Sequence, residues 1–163
     1  MKIGILTLPL HTNYGGILQA YALQTVLERM GHEVSLINGL PSVKKRNLYR
    51  KIRHALSPIK RFVVLHLVPD HFSKNSGRYT SRFVEKWMKR DNFKSTDNIP
   101  SDYYDAIVVG SDQIWRKIYV EMSKFLDHIE TSFLDFAKDW NIKRISYAAS
   151  FGTDRWEYSL GLT

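Results

Sequence analysis

The sequence contains no cysteine, which excludes disulfide bonds, thiolate zinc sites and cysteine nucleophiles. It also lacks any apolar run that approaches the roughly 20 residues needed to cross a bilayer. The amino-terminal stretch MKIGILTLPLH has no small-residue cleavage site, so we interpret it as a first strand and not as a signal peptide. These absences favour a cytoplasmic protein.

Acidic residues are missing from one stretch of the chain, between Val34 and Pro69. Eight basic residues lie there, and they account for the whole net charge of +8. Such a segment attracts phosphates, anionic substrates or acidic lipid headgroups, although a solvated helix without a partner is an equally open interpretation. The eight residues, hereafter the basic segment, are Lys44, Lys45, Arg46, Arg50, Lys51, Arg53, Lys60 and Arg61.

The 163 residues, 44% hydrophobic and 25% charged, suit one domain, 1–163, that can bury a substantial core. Residues 2–8 are predicted to form a strand, and apolar spacing then predicts a helix that begins near Ile17 and ends before Gly31. Residues 33–37 are predicted to form a second strand. Together these elements predict a βαβ unit.

The middle of the chain is predicted to differ from the βαβ unit that precedes it. Residues 41–100 are predicted to form an insertion with two or three helices, and residues 92–102 a loop. The aromatic residues Tyr79, Phe83 and Trp87 share one helical face, for which core packing is expected. The insertion also carries the basic segment.

Strand patterns return near the carboxyl terminus. Residues 106–109, 132–137 and 143–149 are predicted strands, and a helix or irregular segment is expected around residues 115–125. The alternation predicts an α/β fold with an open, mostly parallel sheet and a helical basic insertion.

Small and polar residues follow three of the predicted strands. In open α/β sheets ligands bind outside the carboxyl ends of the strands, so we expect these three segments to meet in one crevice. The predicted binding residues are Asn13, Tyr14, Gly15, Gly16, Gly110, Ser111, Asp112, Gln113, Trp115, Ser150, Phe151 and Gly152.

Several of these residues allow two interpretations. Gly15 and Gly16 either open a helix N-terminus to an anion or form a tight turn for close helix–strand packing. Asp112 either caps the next helix or binds, and takes a proton from, a sugar hydroxyl. Trp115 either stacks on a sugar or belongs to the core. Spacing assigns no catalytic residue, so Asp112 and His11 are only candidates, and no metal ligands are predicted.

Four motifs resemble those of the polysaccharide pyruvyl transferase family, in the family's order. They are NYGGILQAYALQ at residues 13–24, YDAIVVGSDQIW at 104–115, SFLDFA at 132–137 and ISYAASFG at 145–152. The sequence departs from the family pattern at Arg116-Lys117, where Asn-Pro is common, and the substitution changes the charge at the crevice rim.

The resemblance implies two Rossmann-like halves in a glycosyltransferase-B-like architecture. It implies transfer of a pyruvyl group from phosphoenolpyruvate to sugar hydroxyls in cell-surface polysaccharide synthesis, with phosphoenolpyruvate as co-substrate and no cofactor. Members are typically twice as long, with the donor's histidine and arginine residues in a C-terminal half. We therefore expect this chain to be the N-terminal, acceptor-side half, with that C-terminal half absent, and to be inactive alone.

The expected partner is a saccharide or lipid-linked saccharide acceptor. The basic segment would place the protein at the anionic inner face of the membrane. The alternative is a non-catalytic module that uses this segment on nucleic acid or on a membrane surface. Nucleic acid is the less favoured ligand, because the chain has no recognition-helix, RNP or zinc-finger motif.

Overall fold

The sheet has five parallel strands in the order β3-β2-β1-β4-β5. The computed structural model describes residues 1–10, 13–39, 76–122, 126 and 128–154. In chain order the strands and α-helices of this part are β1 (Lys2–Leu6), α1 (Tyr14–Arg29), β2 (Glu33–Gly39), α2 (Ser76–Trp87), β3 (Arg90–Phe93), β4 (Ala106–Asp112), α3 (Lys117–Met122) and β5 (Lys143–Ala149).

The predicted α/β class with a parallel sheet is therefore confirmed. Strands β1 and β4 are apolar and buried, as expected of central strands covered on both faces. In the register of the sheet, Ile5 pairs with Leu36 of β2 on one side and with Val108 of β4 on the other.

Two apolar clusters cover the two faces of the sheet. On one face α1 and α2 pack against β1, with Ile17, Leu23 and Val84 among the buried residues. On the other face the core contains Ile107 and Leu134, contributed by β4 and by the segment that precedes β5. The described residues thus form three layers, with the sheet in the middle.

Helix α1 ends where its sequence predicts, but it begins at Tyr14, three residues before the predicted start near Ile17. The Asn13 side chain accepts a hydrogen bond of 3.2 Å from the Gly16 amide, which is an N-cap. The helix ends at Arg29, and Gly31 then adopts φ +85°, a conformation that favours glycine.

Strand β3 was not predicted. Its sequence, Arg-Asp-Asn-Phe, lacks an apolar run because β3 is the outer neighbour of β2, with its arginine and asparagine exposed. Thr96–Asn98 forms a 3-10 helix within the predicted loop. The described part of the interval 41–100 therefore contains a helix of the core and an edge strand, whereas residues 41–75 lie outside the described residues.

The predicted core face of α2 was confirmed at Phe83, which packs against the core and the ring of Tyr21, but was wrong at Tyr79 and Trp87. Tyr79 is 65% and Trp87 50% exposed, while Thr80, Val84 and Met88 are buried. The spacing of the aromatic residues correctly predicted a helix, but the buried side of that helix carries the polar Thr80. The Thr80 hydroxyl donates to the Gly77 carbonyl at 3.0 Å.

The strand predicted at residues 132–137 was also wrong. Ile129–Phe133 and Asp135–Ala137 are 3-10 helices, and Leu134 between them has φ +62°. The Ser132 hydroxyl donates to the Ile129 carbonyl at 2.6 Å. Such a local hydrogen bond competes with strand pairing, which explains why the alternation of residue types was misleading.

A buried polar cluster joins β2, β3 and the segment before β4. Oδ2 of Asp91 accepts hydrogen bonds from Ser35 at 2.6 Å and from the Tyr104 hydroxyl at 2.8 Å. Only 2% of Tyr104 is exposed. Burial, and then the hydrogen bond to Asp91, raise the pKa of the Tyr104 hydroxyl above its ordinary range.

Candidate functional site

The order of the strands creates a topological switch point between β1 and β4. From β1 the chain proceeds outward through β2 and β3, and it then returns to the other side of β1 to form β4 and β5. Ligands of open α/β sheets bind at the carboxyl ends of the strands at such a point. The segment after β1 and the segment that ends β4 both lie there.

Asn13 connects the first of these segments to the second. Its side chain caps α1 through Oδ1, and Nδ2 donates to Oδ2 of Asp112 across 3.5 Å. The Cβ position of Gly16 also lies 3.9 Å from Oδ2 of Asp112. The carboxylate of Asp112 is therefore beside the first turn of α1.

One of the two interpretations of Asp112 is excluded by the structure. Asp112 does not cap the next helix, because it ends β4 and α3 begins only at Lys117. At Gly15 the nearest atom to an added Cβ belongs to Asn13, and at Gly16 the nearest atoms belong to Asn13 and to Asp112 of β4. The two glycines therefore form the turn at Asn13 and also leave the amides at the N-terminus of α1 uncovered by side chains of their own.

Gln19 is a residue of this crevice that the sequence analysis missed. Its Oε1 accepts a hydrogen bond of 2.9 Å from the hydroxyl of Ser111, whose side chain is buried. Gln19 lies one turn beyond the glycines of α1, and the NYGGILQ motif contains it. The motif was a signal for Gln19, but only the fold shows that its partner is Ser111.

The third predicted segment meets the second through the backbone. The Ser150 amide donates to the Asp112 carbonyl at 2.9 Å, and the Trp115 amide donates to the Ser150 carbonyl at 3.2 Å. Asp112 has φ +74°, so the backbone turns sharply where β4 ends. All three segments therefore converge at one edge of the sheet, as the sequence predicted.

Gln113 extends the contact between these segments. Its side chain lies so close to Gly152 that a Cβ at that glycine would collide with it. Nη1 of Arg116 donates to Oε1 of Gln113 at 3.0 Å. A guanidinium is thus held at the crevice rim, at the position where the sequence departs from the motif it resembles.

Three aromatic rings form a cluster beside this rim, hereafter the aromatic cluster: Trp115, Phe133 and Phe151. The rings of Trp115 and Phe133 are stacked, with centroids 5.3 Å apart and an interplanar angle of 19°. Phe151 is tilted against both of them, at 5.7 Å from Trp115 and 6.5 Å from Phe133. Phe133 was not among the predicted site residues, because it was assigned to a strand.

Two predicted features lie outside the described residues. They are His11, with its candidate catalytic role, and the basic segment. Among the residues that are described, no group of three or more histidine, aspartate or glutamate side chains is placed to hold a metal ion. In the same part of the chain, no helix combines the length and the apolar character that membrane crossing requires.

A family model for polysaccharide pyruvyl transferases matches residues 13–160. The chain belongs to the polysaccharide pyruvyl transferase family. Neither the curated proteins nor the solved structures gave a significant match.

The match to the polysaccharide pyruvyl transferase family includes all three converging segments and all twelve predicted binding residues. It begins at Asn13, so it excludes His11. Membership in this family supports a transferase with an α/β fold. The roles of the individual crevice residues do not follow from the family match and have to be argued from the geometry.

Proposed function

We propose that this protein takes part in pyruvyl transfer from phosphoenolpyruvate to a saccharide, and that its crevice holds the saccharide acceptor. The observation that carries the proposal is the convergence of three polar segments at the switch point, around the carboxylate of Asp112. Family membership supplies the reaction class, and the crevice supplies groups that suit an uncharged, hydroxyl-rich ligand.

The reaction forms two carbon–oxygen bonds and breaks one. Two sugar hydroxyls add to C2 of phosphoenolpyruvate, whose bond to the phosphate oxygen breaks, and inorganic phosphate leaves. The methylene carbon C3 gains a proton and becomes a methyl group. The two hydroxyl protons balance these steps, because one equivalent goes to C3 and one to the phosphate.

Asp112 is the carboxylate among the described residues at this convergence. A carboxylate accepts hydrogen bonds from sugar hydroxyls and can receive a proton as the hydroxyl oxygen attacks. The Asn13 amide holds Oδ2 on one side, while the backbone bond from Ser150 fixes the peptide. Such fixed partners position the carboxylate before the acceptor arrives.

The proposed partners are a saccharide or lipid-linked saccharide acceptor and, through the basic segment, an anionic membrane surface. Phosphoenolpyruvate is the proposed donor, and it carries several negative charges. We propose that its main cationic contacts come from outside this crevice, since the family resemblance places the donor's histidine and arginine residues in a C-terminal half.

The test is a gene deletion with complementation. Cells without the gene should lose pyruvate ketals from their surface polysaccharide, measured as the ketal methyl signal in proton NMR. The wild-type gene should restore the signal, and Asp112→Asn should restore about a tenth of it or less, since a lost catalytic carboxylate commonly costs at least that factor.

Asp139→Asn is the matched control, because this exposed aspartate lies in the turn before β5, at the other end of that strand. It should restore the full signal. Unchanged ketal content in the deletion strain would overturn the function, and full restoration by Asp112→Asn would remove Asp112 from it.

A further inference from the structure

We propose that the outer faces of Phe133 and Phe151 form the surface on which a pyranose ring of the acceptor stacks, with Phe133 as the residue that selects it. This inference rests on the proposed function and deepens it. The proposal is suggested by two exposed phenyl rings that lie beside the polar groups of the crevice rim.

For Trp115 the sequence left two interpretations open, stacking on a sugar or packing in the core, and its place in the fold favours packing. The ring of Phe133 already stacks on it at 5.3 Å. Its indole N–H donates to the Ser132 carbonyl at 3.2 Å. Both its hydrogen-bonding group and one side of its ring are thus engaged by the protein, so Trp115 supports the cluster from within.

Phe133 and Phe151 are the exposed members of the cluster. Phe133 is 49% and Phe151 40% exposed, although phenyl rings are among the most readily buried side chains. Their ring planes make an angle of 42° with centroids 6.5 Å apart. The two rings therefore form a shallow angled surface, and not a single flat face.

The backbone holds Phe133 firmly in its exposed position. Its two neighbours are buried, with Ser132 fully covered and Leu134 in the core below the sheet. Ser132 is bonded to both Ile129 and the Trp115 indole. A ring held in this way loses little conformational entropy when a ligand stacks on it, which favours binding.

Polar groups at the edge of the surface suit a sugar better than an apolar ligand. Phe151 lies between Ser150 and Gly152, and Gly152 contacts the Gln113 side chain. Ser150 is bonded through its backbone to Asp112. A pyranose presents C–H groups on its ring face and hydroxyls at its rim, so it can contact the phenyl rings and these polar groups together.

Selection follows from the shape of the sugar face. Stacking needs a ring face on which C–H groups point outward, and an axial hydroxyl on that face would separate the sugar from Phe133. The surface therefore distinguishes pyranoses by the orientation of their hydroxyls. The other possible ligand of an exposed apolar surface is a protein partner. A surface that serves such a partner would not discriminate between sugars of different configuration.

The experiment is saturation-transfer NMR on the full chain without phosphoenolpyruvate. The probes are methyl β-D-glucopyranoside, methyl β-D-galactopyranoside and methyl α-D-mannopyranoside. We expect saturation of the C–H protons on one ring face of at least one glycoside. Phe133→Ala should weaken binding of that glycoside about fivefold or more, and Phe133→Trp should restore it.

Tyr79→Ala is the matched control, since Tyr79 is an exposed aromatic residue on α2 and lies outside the cluster. It should bind the glycosides like the wild type, and a thermal unfolding curve should show that each variant is folded.

Wild-type protein that transfers saturation to none of the three glycosides would overturn the proposal, as would Phe133→Ala binding them unchanged. The failure of the proposed function has a different signature. If binding depends on Phe133 but the deletion strain keeps its pyruvate ketals, the stacking surface stands and pyruvyl transfer does not. If ketals depend on Asp112 but not on Phe133, the function stands and the stacking surface fails.

Discussion

The hydroxyl of Ser111 donates a hydrogen bond of 2.9 Å to Oε1 of Gln19, across 92 residues of sequence. This bond joins α1 to the end of β4 at the switch point of the sheet. It holds together the two segments that form the central part of the proposed acceptor crevice.

We expect this pair to be energetically coupled. Ser111→Ala and Gln19→Ala should each lower the free energy of unfolding by about 1 kcal/mol, because each removes one partner of a part-buried hydrogen bond. The double variant should lose less than the sum of the two. Urea unfolding of all four proteins measures the coupling, and strict additivity would show that the bond contributes nothing.

The buried cluster around Tyr104 should make stability sensitive to alkaline pH. The folded protein holds the Tyr104 proton more tightly than the unfolded chain, because burial raises the pKa of this hydroxyl. Its contribution is therefore complete below the unfolded value of about 10 and is lost as the pH rises above it. Urea unfolding of Tyr104→Phe should show a shallower loss of stability above about pH 10 than the wild type.

At neutral pH Tyr104→Phe should lower the free energy of unfolding by about 1–2 kcal/mol, since Asp91 loses one of its two side-chain hydrogen bonds. Tyr79→Phe is the control, because Tyr79 is exposed on α2 and its substitution leaves Tyr104 and the neighbouring Tyr103 unchanged. If the free energy of unfolding fell equally steeply above about pH 10 in Tyr104→Phe and in the wild type, the ionisation of Tyr104 would not be linked to stability.

Two glycines with positive φ should respond very differently to alanine. Gly110 has φ +128°, and a Cβ there would collide with the Tyr147 carbonyl oxygen of β5. Gly31 has φ +85°, with nothing within 4 Å of its Cβ position. Gly31→Ala should lower the free energy of unfolding by about 1–2 kcal/mol, from backbone strain alone.

Gly110→Ala should cost more, at least about 3 kcal/mol, because β5 must also move away from β4. Chemical unfolding followed by circular dichroism compares the two variants. Equal losses at the two positions would mean that the close approach of β4 and β5 does not contribute.

The basic segment should determine binding to anionic membranes. Changing Lys44, Lys45, Arg50 and Lys51 to Gln should reduce co-sedimentation with phosphatidylserine vesicles at least about tenfold, since each basic residue near such a surface contributes about 1 kcal/mol. Changing four exposed basic residues elsewhere, Arg78, Arg82, Lys86 and Lys94, serves as the control of equal charge.

Equal effects of the two quadruple variants would show that only net charge matters. The alternative ligand is nucleic acid, whose binding would fall steeply with salt, with a slope set by the number of phosphates contacted. If the protein binds an oligonucleotide but does not co-sediment with the vesicles, the nucleic-acid alternative is favoured.

Strong local patterns explain the parts of the fold that could be predicted. The apolar runs of β1 and β4 and the glycine at position 31 each act within a few residues, so their effects are visible in the sequence. The parallel order of the strands made the convergence at the switch point predictable as well, because parallel strands end at the same edge.

The errors arise from hydrogen bonds and packing that residue spacing does not show. Arg90–Phe93 has no strand pattern and pairs only because β2 offers a free edge. The alternation at residues 132–137 suggested a strand, but Ser132 bonds locally to Ile129 and distantly to Trp115. The exposed Tyr79 and Trp87 show that a helical face of aromatic residues need not be the one that the core covers.

Residue types at short spacing were enough to predict the class of fold, the family and the three segments at the strand ends. Strand pairing and layer packing establish which side chains of the site touch: Asn13 with Asp112, Gln19 with Ser111, Phe133 with Trp115. Those pairs are separated by 99, 92 and 18 positions, and their contact depends on how the strands pair and the layers pack. No local pattern of residues encodes that packing.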